Sequence, residues 1–213
     1  MQQYRIPAKR TRAEIKILNS RFIATVAPAF TVEEARQFIQ EIRQEFSDAS
    51  HNVPAFLIGH GQSVIAHSSD AGEPSGTAGR PALTVLQGSG LGDIAVVVTR
   101  YFGGTKLGTG GLVRAYSDAV KAALEVLPLA EKVSTVIARL VVPYSNYEHM
   151  KLIIQEFGGV IKGEEFAAEV TLQIQFLEEK IKPFNDRIGE VSRGRVLAEI
   201  IDSNPDTIMP ILG

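Results

Sequence analysis

Five glycines fall within nine positions, Gly103, Gly104, Gly108, Gly110 and Gly111, between an unbroken β-branched run and a helical pattern. That arrangement makes residues 94–127 the segment around which the chain must organise. Residues 94–99, IAVVVT, show no alternation of apolar and polar, the pattern of a strand covered on both faces. From Leu112 the period changes. Leu112, Tyr116, Ala119, Val120, Ala123 and Leu127 share one face of a 3.6-residue helix, and Arg114, Asp118, Lys121 and Glu125 share the other. Arg114/Asp118 and Lys121/Glu125 are spaced four apart and support the helix locally, and Pro128 ends it.

A connection this rich in glycine is entropically expensive, so it either forms a tight structural turn or serves a ligand. Without Cβ atoms, backbone N–H groups can face outward, and the start of the following helix adds unpaired N–H groups and a positive dipole end. Both suit an anion. Arg100 and Lys106 flank the loop with positive charge. The familiar nucleotide loops are excluded, because no GxxxxGK[ST] occurs and no GxGxxG opens the helix. Arg100 has a second possible role, as the partner of a buried carboxylate.

The second unusual segment is residues 67–81, where Gly72, Gly76 and Gly79 punctuate Asp70, Glu73, Ser75, Thr77 and Arg80. No helix can run through all of it. Two carboxylates three apart could bind a cation or exchange protons, and Ser75 or Thr77 could touch a phosphate. A structural role is available too: Asp70 and Glu73 can accept local N–H groups and hold an irregular loop together. We assign Asp70, Glu73, Ser75 and Thr77 to that loop-structuring role. Ser75 lies in no GxSxG elbow, so no catalytic residue is assigned.

Composition narrows the function classes. The 213 residues contain no Cys, which excludes disulfide partners, thiol chemistry and Cys-containing metal sites. The four His are scattered; His51, His60 and His67 are read as exposed residues at turns or strand edges, and no metal or cofactor is assigned. The opening MQQYRIPAKRTRAEIK lacks the apolar core of a targeting signal, and no run is long enough to span a bilayer, so the expected location is cytoplasmic, with no membrane partner. Residues 1–130 carry 13 basic and 11 acidic side chains, net +2, whereas 131–213 carry 9 and 13, net −4. A polyanion should therefore prefer the first part of the chain. Lys9, Arg10 and Arg12 read as a solvated terminus.

Residues 15–26 suggest a strand that bends at Asn19 and Ser20. Thr31 with Glu34 forms a capping box, and Val32, Ala35, Phe38, Ile39, Ile42 and Phe46 follow at helical spacing. Residues 54–59 and 63–67 form two strands of a hairpin, completing a four-stranded sheet, and Pro81 opens a short helix ending near Gly88. Residues 127–132 mark a domain boundary. Beyond it, strands at 135–142, 160–162, 168–176 and 196–201 alternate with helices at 147–157 and 178–191. This β-α-β-β-α-β order is ferredoxin-like.

RYFGGTKLGTGGLVRAYSDA, preceded by HSSDAGEPSGTAGRP, resembles the signature of the IMPACT family, in particular its bacterial two-domain YigZ branch, and the similarity extends over the whole chain. The resemblance implies an α+β protein with an N-terminal domain, 1–130, having the fold of elongation factor G's fourth domain (a ribosomal-protein-like βαβ sandwich), and a ferredoxin-like domain, 133–213. Eukaryotic relatives restrain a translation-control kinase by competing for its activator. The expected function is thus a cytoplasmic, non-enzymatic, translation-associated regulator that contacts RNA, ribosome or a protein partner. The candidate anion or nucleic-acid contacts are Arg80, Arg100, Gly103, Gly104, Lys106, Gly108, Gly110 and Gly111. The alternative, from enzymes of related fold, is an ATP-dependent small-molecule phosphotransferase; no metal and base constellation accompanies the loop to support it. A ligand-sensing role for the second domain rests on fold analogy alone.

Overall fold

The computed structural model describes residues 3–210; residues 1–2 and 211–213, at the outer ends of the two expected domains, lie outside the described residues. The chain is mixed α+β and divides into two compact units, Tyr4–Glu131 and Lys132–Met209.

The first unit opens with a short strand β1 (Tyr4–Pro7) and is built on a five-stranded antiparallel sheet. Its strands are β2 (Thr11–Ile17), β3 (Ser20–Pro28), β4 (His51–Ile58), β5 (Ile65–Ser68) and β6 (Ile94–Tyr101), in the order β2-β3-β6-β4-β5. The glycine loop therefore leaves the central strand. The lack of alternation in β6 has a direct cause. Ile94, Val96 and Val98 pack under α2 (Gly79–Gly88) and α3 (Gly108–Glu125), while Ala95 and Val97 pack under α1 (Val32–Glu45). Helices cover both faces of the sheet, so apolar side chains are buried on each.

Where the sequence suggests one bent strand at 15–26, there are two. Ile17 pairs with Ser20 across a two-residue turn, and Leu18 takes a φ of +51° there. Glycine or asparagine normally signals such a turn, and a leucine in its first position hides it. This split raises the sheet from four strands to five. At the start of α1, Thr31 accepts from Glu34 N–H at 3.1 Å, while the Glu34 carboxylate reaches Phe30 N–H at 2.8 Å, one residue before the expected capping-box donor. Arg10 and Arg12 are not simply solvated. They pair with Glu41 and Glu45 of α1, and their guanidinium groups lie over Phe38 and Phe46.

Helix α3 begins at Gly108, earlier than its apolar period indicates, so Gly108, Gly110 and Gly111 belong to its first turn. On its wet face Lys121 pairs with Asp118, three residues away, at 3.4 Å. Within the loop, Gly103 and Gly104 answer different demands. A Cβ on Gly103 would lie 2.0 Å from the backbone of Asn19, so the loop can close over the β2–β3 turn only without a side chain there. Gly104 has open space but a φ of +83°.

In the second unit, β7 (Leu129–Val142), α4 (Tyr147–Glu156), β8 (Val160–Phe166), β9 (Val170–Leu177), α5 (Glu178–Ser192) and β10 (Glu199–Pro210) follow in β-α-β-β-α-β order. Within this unit β10 pairs with β7, β7 with β9 and β9 with β8, in a five-stranded sheet that also includes β1 beside β7. Within residues 127–132, β7 already starts at Leu129, and Ala8 N–H donates to the Pro128 carbonyl at 2.8 Å. Inward residues of β7 and β9, such as Leu140, Leu172 and Phe176, pack against Met150, Ile154 and Phe184 of the two helices.

Candidate functional site

Three segments of the first unit converge at the C-terminal end of β6: the acidic loop between β5 and α2, the end of β6 itself, and the start of α3. A buried polar cluster joins them. The Glu73 Oε1 atom accepts from Arg100 Nη1 at 2.6 Å and from the Tyr116 hydroxyl at 2.7 Å. Glu73 and Arg100 are 9% and 5% exposed, and Tyr116 is fully buried. Burial, and then the hydrogen bond to Glu73, push the Tyr116 phenol far above its ordinary pKa, so it stays a protonated donor. Arg100 is sandwiched by aromatic rings, with its guanidinium 5.4 Å from the centroids of both Phe22 and Phe102.

Of the two roles open to Arg100, the structure places it against a buried carboxylate. It is not an outward-facing charge on the loop. His51 also departs from the expectation of an exposed turn residue. It starts β4 half-buried, and its Nδ1 lies 2.9 Å from the Ala71 carbonyl. A carbonyl can only accept, so Nδ1 carries the proton, and Nε2 lies 3.9 Å from the second Glu73 oxygen.

Within the acidic loop, Asp70 and Thr77 make local hydrogen bonds. Asp70 accepts from the backbone N–H groups of Gly76, Ala78 and Gly79 at 2.8, 3.0 and 2.9 Å. Burial raises the Asp70 pKa, but the donors of Gly76, Gly79 and Ala78 together outweigh it and hold the carboxyl below its ordinary value. Thr77 donates its hydroxyl to the Pro74 carbonyl at 2.7 Å. Glu73 works differently from the local acceptor expected of it, since its carboxylate reaches across to β6 and α3. Ser75 is exposed at the loop surface. Gly79 also has a packing reason, as a Cβ there would come within 2.6 Å of the Ser69 backbone.

Beside this cluster opens a cavity of about 550 Å³. Its apolar lining comes from Pro74, Phe102, Leu107 and Leu112, with Lys106, Gly108 and Thr109 at the loop side and Glu73, Arg100 and His51 on the other. The N-terminal turn of α3 meets this space with no side-chain cap and no acidic residue. Its unpaired N–H groups and dipole end therefore make the cavity wall positive, and Lys106 adds a full charge. Of the sequence-derived contacts, the structure brings Arg100, Lys106 and Gly108 to the cavity, sets Gly110 and Gly111 in the same helical turn, leaves Gly103 and Gly104 in the adjoining loop, and does not bring Arg80 to it. Phe102, His51 and Tyr116 were not singled out from the sequence as site residues. Tyr116 offered one signal, because a tyrosine on the buried face of a helix needs a partner for its hydroxyl.

Among the described residues no group of three or more His, Asp or Glu is placed to hold a metal ion, and no helix is long and apolar enough to cross a membrane.

Comparison with known proteins gives the same partition of the chain. The model described as "Impact N-terminal domain" matches residues 18–124, and "Domain of unknown function (DUF1949)" matches residues 140–195. An IMPACT family member of Haemophilus influenzae is 36% identical over 203 residues, covering 95% of this chain and 98% of the relative. IMPACT family member YigZ of Escherichia coli is 36% identical over 195 residues, covering 91% and 96%. A crystal structure of a hypothetical protein, 35% identical, superposes with a TM-score of 0.63 over 95% of this chain and 98% of that one.

Two predictions follow from the cluster and its loop. Glu73→Gln leaves the Arg100 charge buried without a counter-charge and should cost about 3–5 kcal/mol in urea unfolding, whereas Glu73→Gln combined with Arg100→Met should cost clearly less than the two single losses added together. Additive losses would show that the two side chains are not coupled. Because the folded-state pKa of Asp70 is depressed, its contribution is present above the unfolded value of about 3.9 and is lost as pH falls through the lower folded value. Asp70→Asn should therefore be less stable at neutral pH and flatten the acid limb of the stability curve; an unchanged acid limb would contradict the assignment.

Proposed function

The chain belongs to the IMPACT family, and from that membership together with the cavity at the start of α3 we propose that it is a cytoplasmic, non-enzymatic, translation-associated binding protein that grips RNA phosphate through its glycine-rich loop. The observation that carries this reading is the uncapped first turn of α3, which lines a cavity beside Lys106 and has no carboxylate of its own. Lys106 occurs in none of the ion pairs among the described residues, so its charge is available to a partner. Arg100 contributes indirectly, by fixing the wall of the cavity.

The three-layer first unit supports the fold of elongation factor G's fourth domain, and the β10-β7-β9-β8 strand order supports a ferredoxin-like second unit. The positive N-terminal end of α3 favours RNA, alone or within the ribosome, over an acidic protein surface, because closely spaced phosphates match a helix start and a lysine a few residues away.

The test is RNA affinity across a salt series with two unrelated sequences. Lys106→Ala should weaken both to a similar extent and lower the slope of log K against log salt by about one. If the folded variant binds as the parent does, with the same slope, the loop is not the nucleic-acid surface and a protein partner becomes the better reading. Transfer of the ATP γ-phosphate to a small-molecule acceptor by the folded protein would instead support the phosphotransferase reading.

A further inference from the structure

The walls of the cavity carry more information than its charge. Phosphate contacts need a rim of N–H groups and a lysine, and they do not need an apolar space of about 550 Å³ lined by Leu107, Leu112 and Pro74. Nor does a phosphate explain Phe102. Phe102 is 48% exposed, yet its backbone N–H donates to Ser50 Oγ at 3.0 Å and the anchored Arg100 guanidinium sits over its ring. A restrained, half-exposed aromatic beside a cationic loop is the arrangement by which proteins stack an unpaired base while holding its backbone. Arg100 lines the cavity as well, its side chain 6% exposed and held by Glu73 and by the rings of Phe22 and Phe102.

Resting on the RNA reading above, we infer that the cavity takes a single unstacked nucleobase, stacked on Phe102, with its phosphate at the first turn of α3 and Lys106. The ligand class is therefore a nucleobase joined to a phosphate, met either as an unpaired position in an RNA strand or as a free mononucleotide. Duplex RNA is excluded from the cavity because its bases stay in the stack, although its phosphates can still meet Lys106.

The chain contains no Trp, so Phe102→Trp places the sole indole at the proposed stacking position. Its fluorescence should be quenched at saturation by a mixed-sequence single-stranded RNA and not by the same sequence as a blunt duplex. Phe102→Ala should weaken single-strand binding about 5- to 150-fold, as expected for loss of one stacked base, and leave duplex binding within twofold. Quenching by AMP at concentrations comparable with the single strand would support the inference with a free mononucleotide as the source; quenching by the strand alone would support it with RNA as the source. Equal quenching by duplex and single strand, or Lys106-dependent RNA binding with neither quenching nor any effect of Phe102→Ala, would overturn base insertion while leaving the RNA-binding reading in place. Absence of binding to either RNA form and to AMP would overturn both.

Discussion

The ion pair between Glu73 and Arg100 fastens the acidic loop to the central strand through buried side chains. One end is in an irregular loop, the other in the central strand, and Tyr116 adds the long helix to the same carboxylate oxygen. Burying two charges is expensive, and such a pair persists only when short contacts, further hydrogen bonds and aromatic faces compensate. All three are present here, with Phe22 and Phe102 on the guanidinium and Tyr116 on the carboxylate. The position of Phe102, and hence the mouth of the cavity, follows from where Arg100 is anchored.

Charge in the first unit is consequently local in its effect. Arg10, Arg12 and Arg21 are committed to Glu41, Glu45 and Glu14, and Arg100 to Glu73. The small positive excess counted along the first part of the sequence therefore says little about where an anion would go. What remains at the end of β6 is a lysine and a helix start without carboxylates, both beside a largely apolar cavity. Field and shape coincide there.

Much of the fold was legible because its signals were periodic. The unbroken run in β6 reported burial on two faces, and the capped helix α1 announced both its start and its core residues. The β2–β3 turn was hidden because Leu18 adopts a left-handed φ that glycine or asparagine would have advertised. The early start of α3 was hidden because Gly108, with a φ of +72°, and the poor helix formers Gly110 and Gly111 look like loop. In the site, Asp70 could be read from its neighbouring glycines, whose N–H groups it accepts. The partnership of Glu73 with Arg100, 27 residues apart, could be named only as one of two roles, since sequence does not show which surface folds over which. Phe102 was silent because an isolated aromatic after a strand has no pattern to betray it.

The account stands or falls on where RNA touches the protein. Backbone amide NMR of the full chain, titrated with a single-stranded RNA at low salt, reads that location residue by residue. The account predicts that the largest shifts fall on residues 102–112 and on the facing positions around Glu73, with β10 and α5 of the second unit unaffected. Shifts concentrated in the second unit, with residues 102–112 unmoved at saturation, would contradict it.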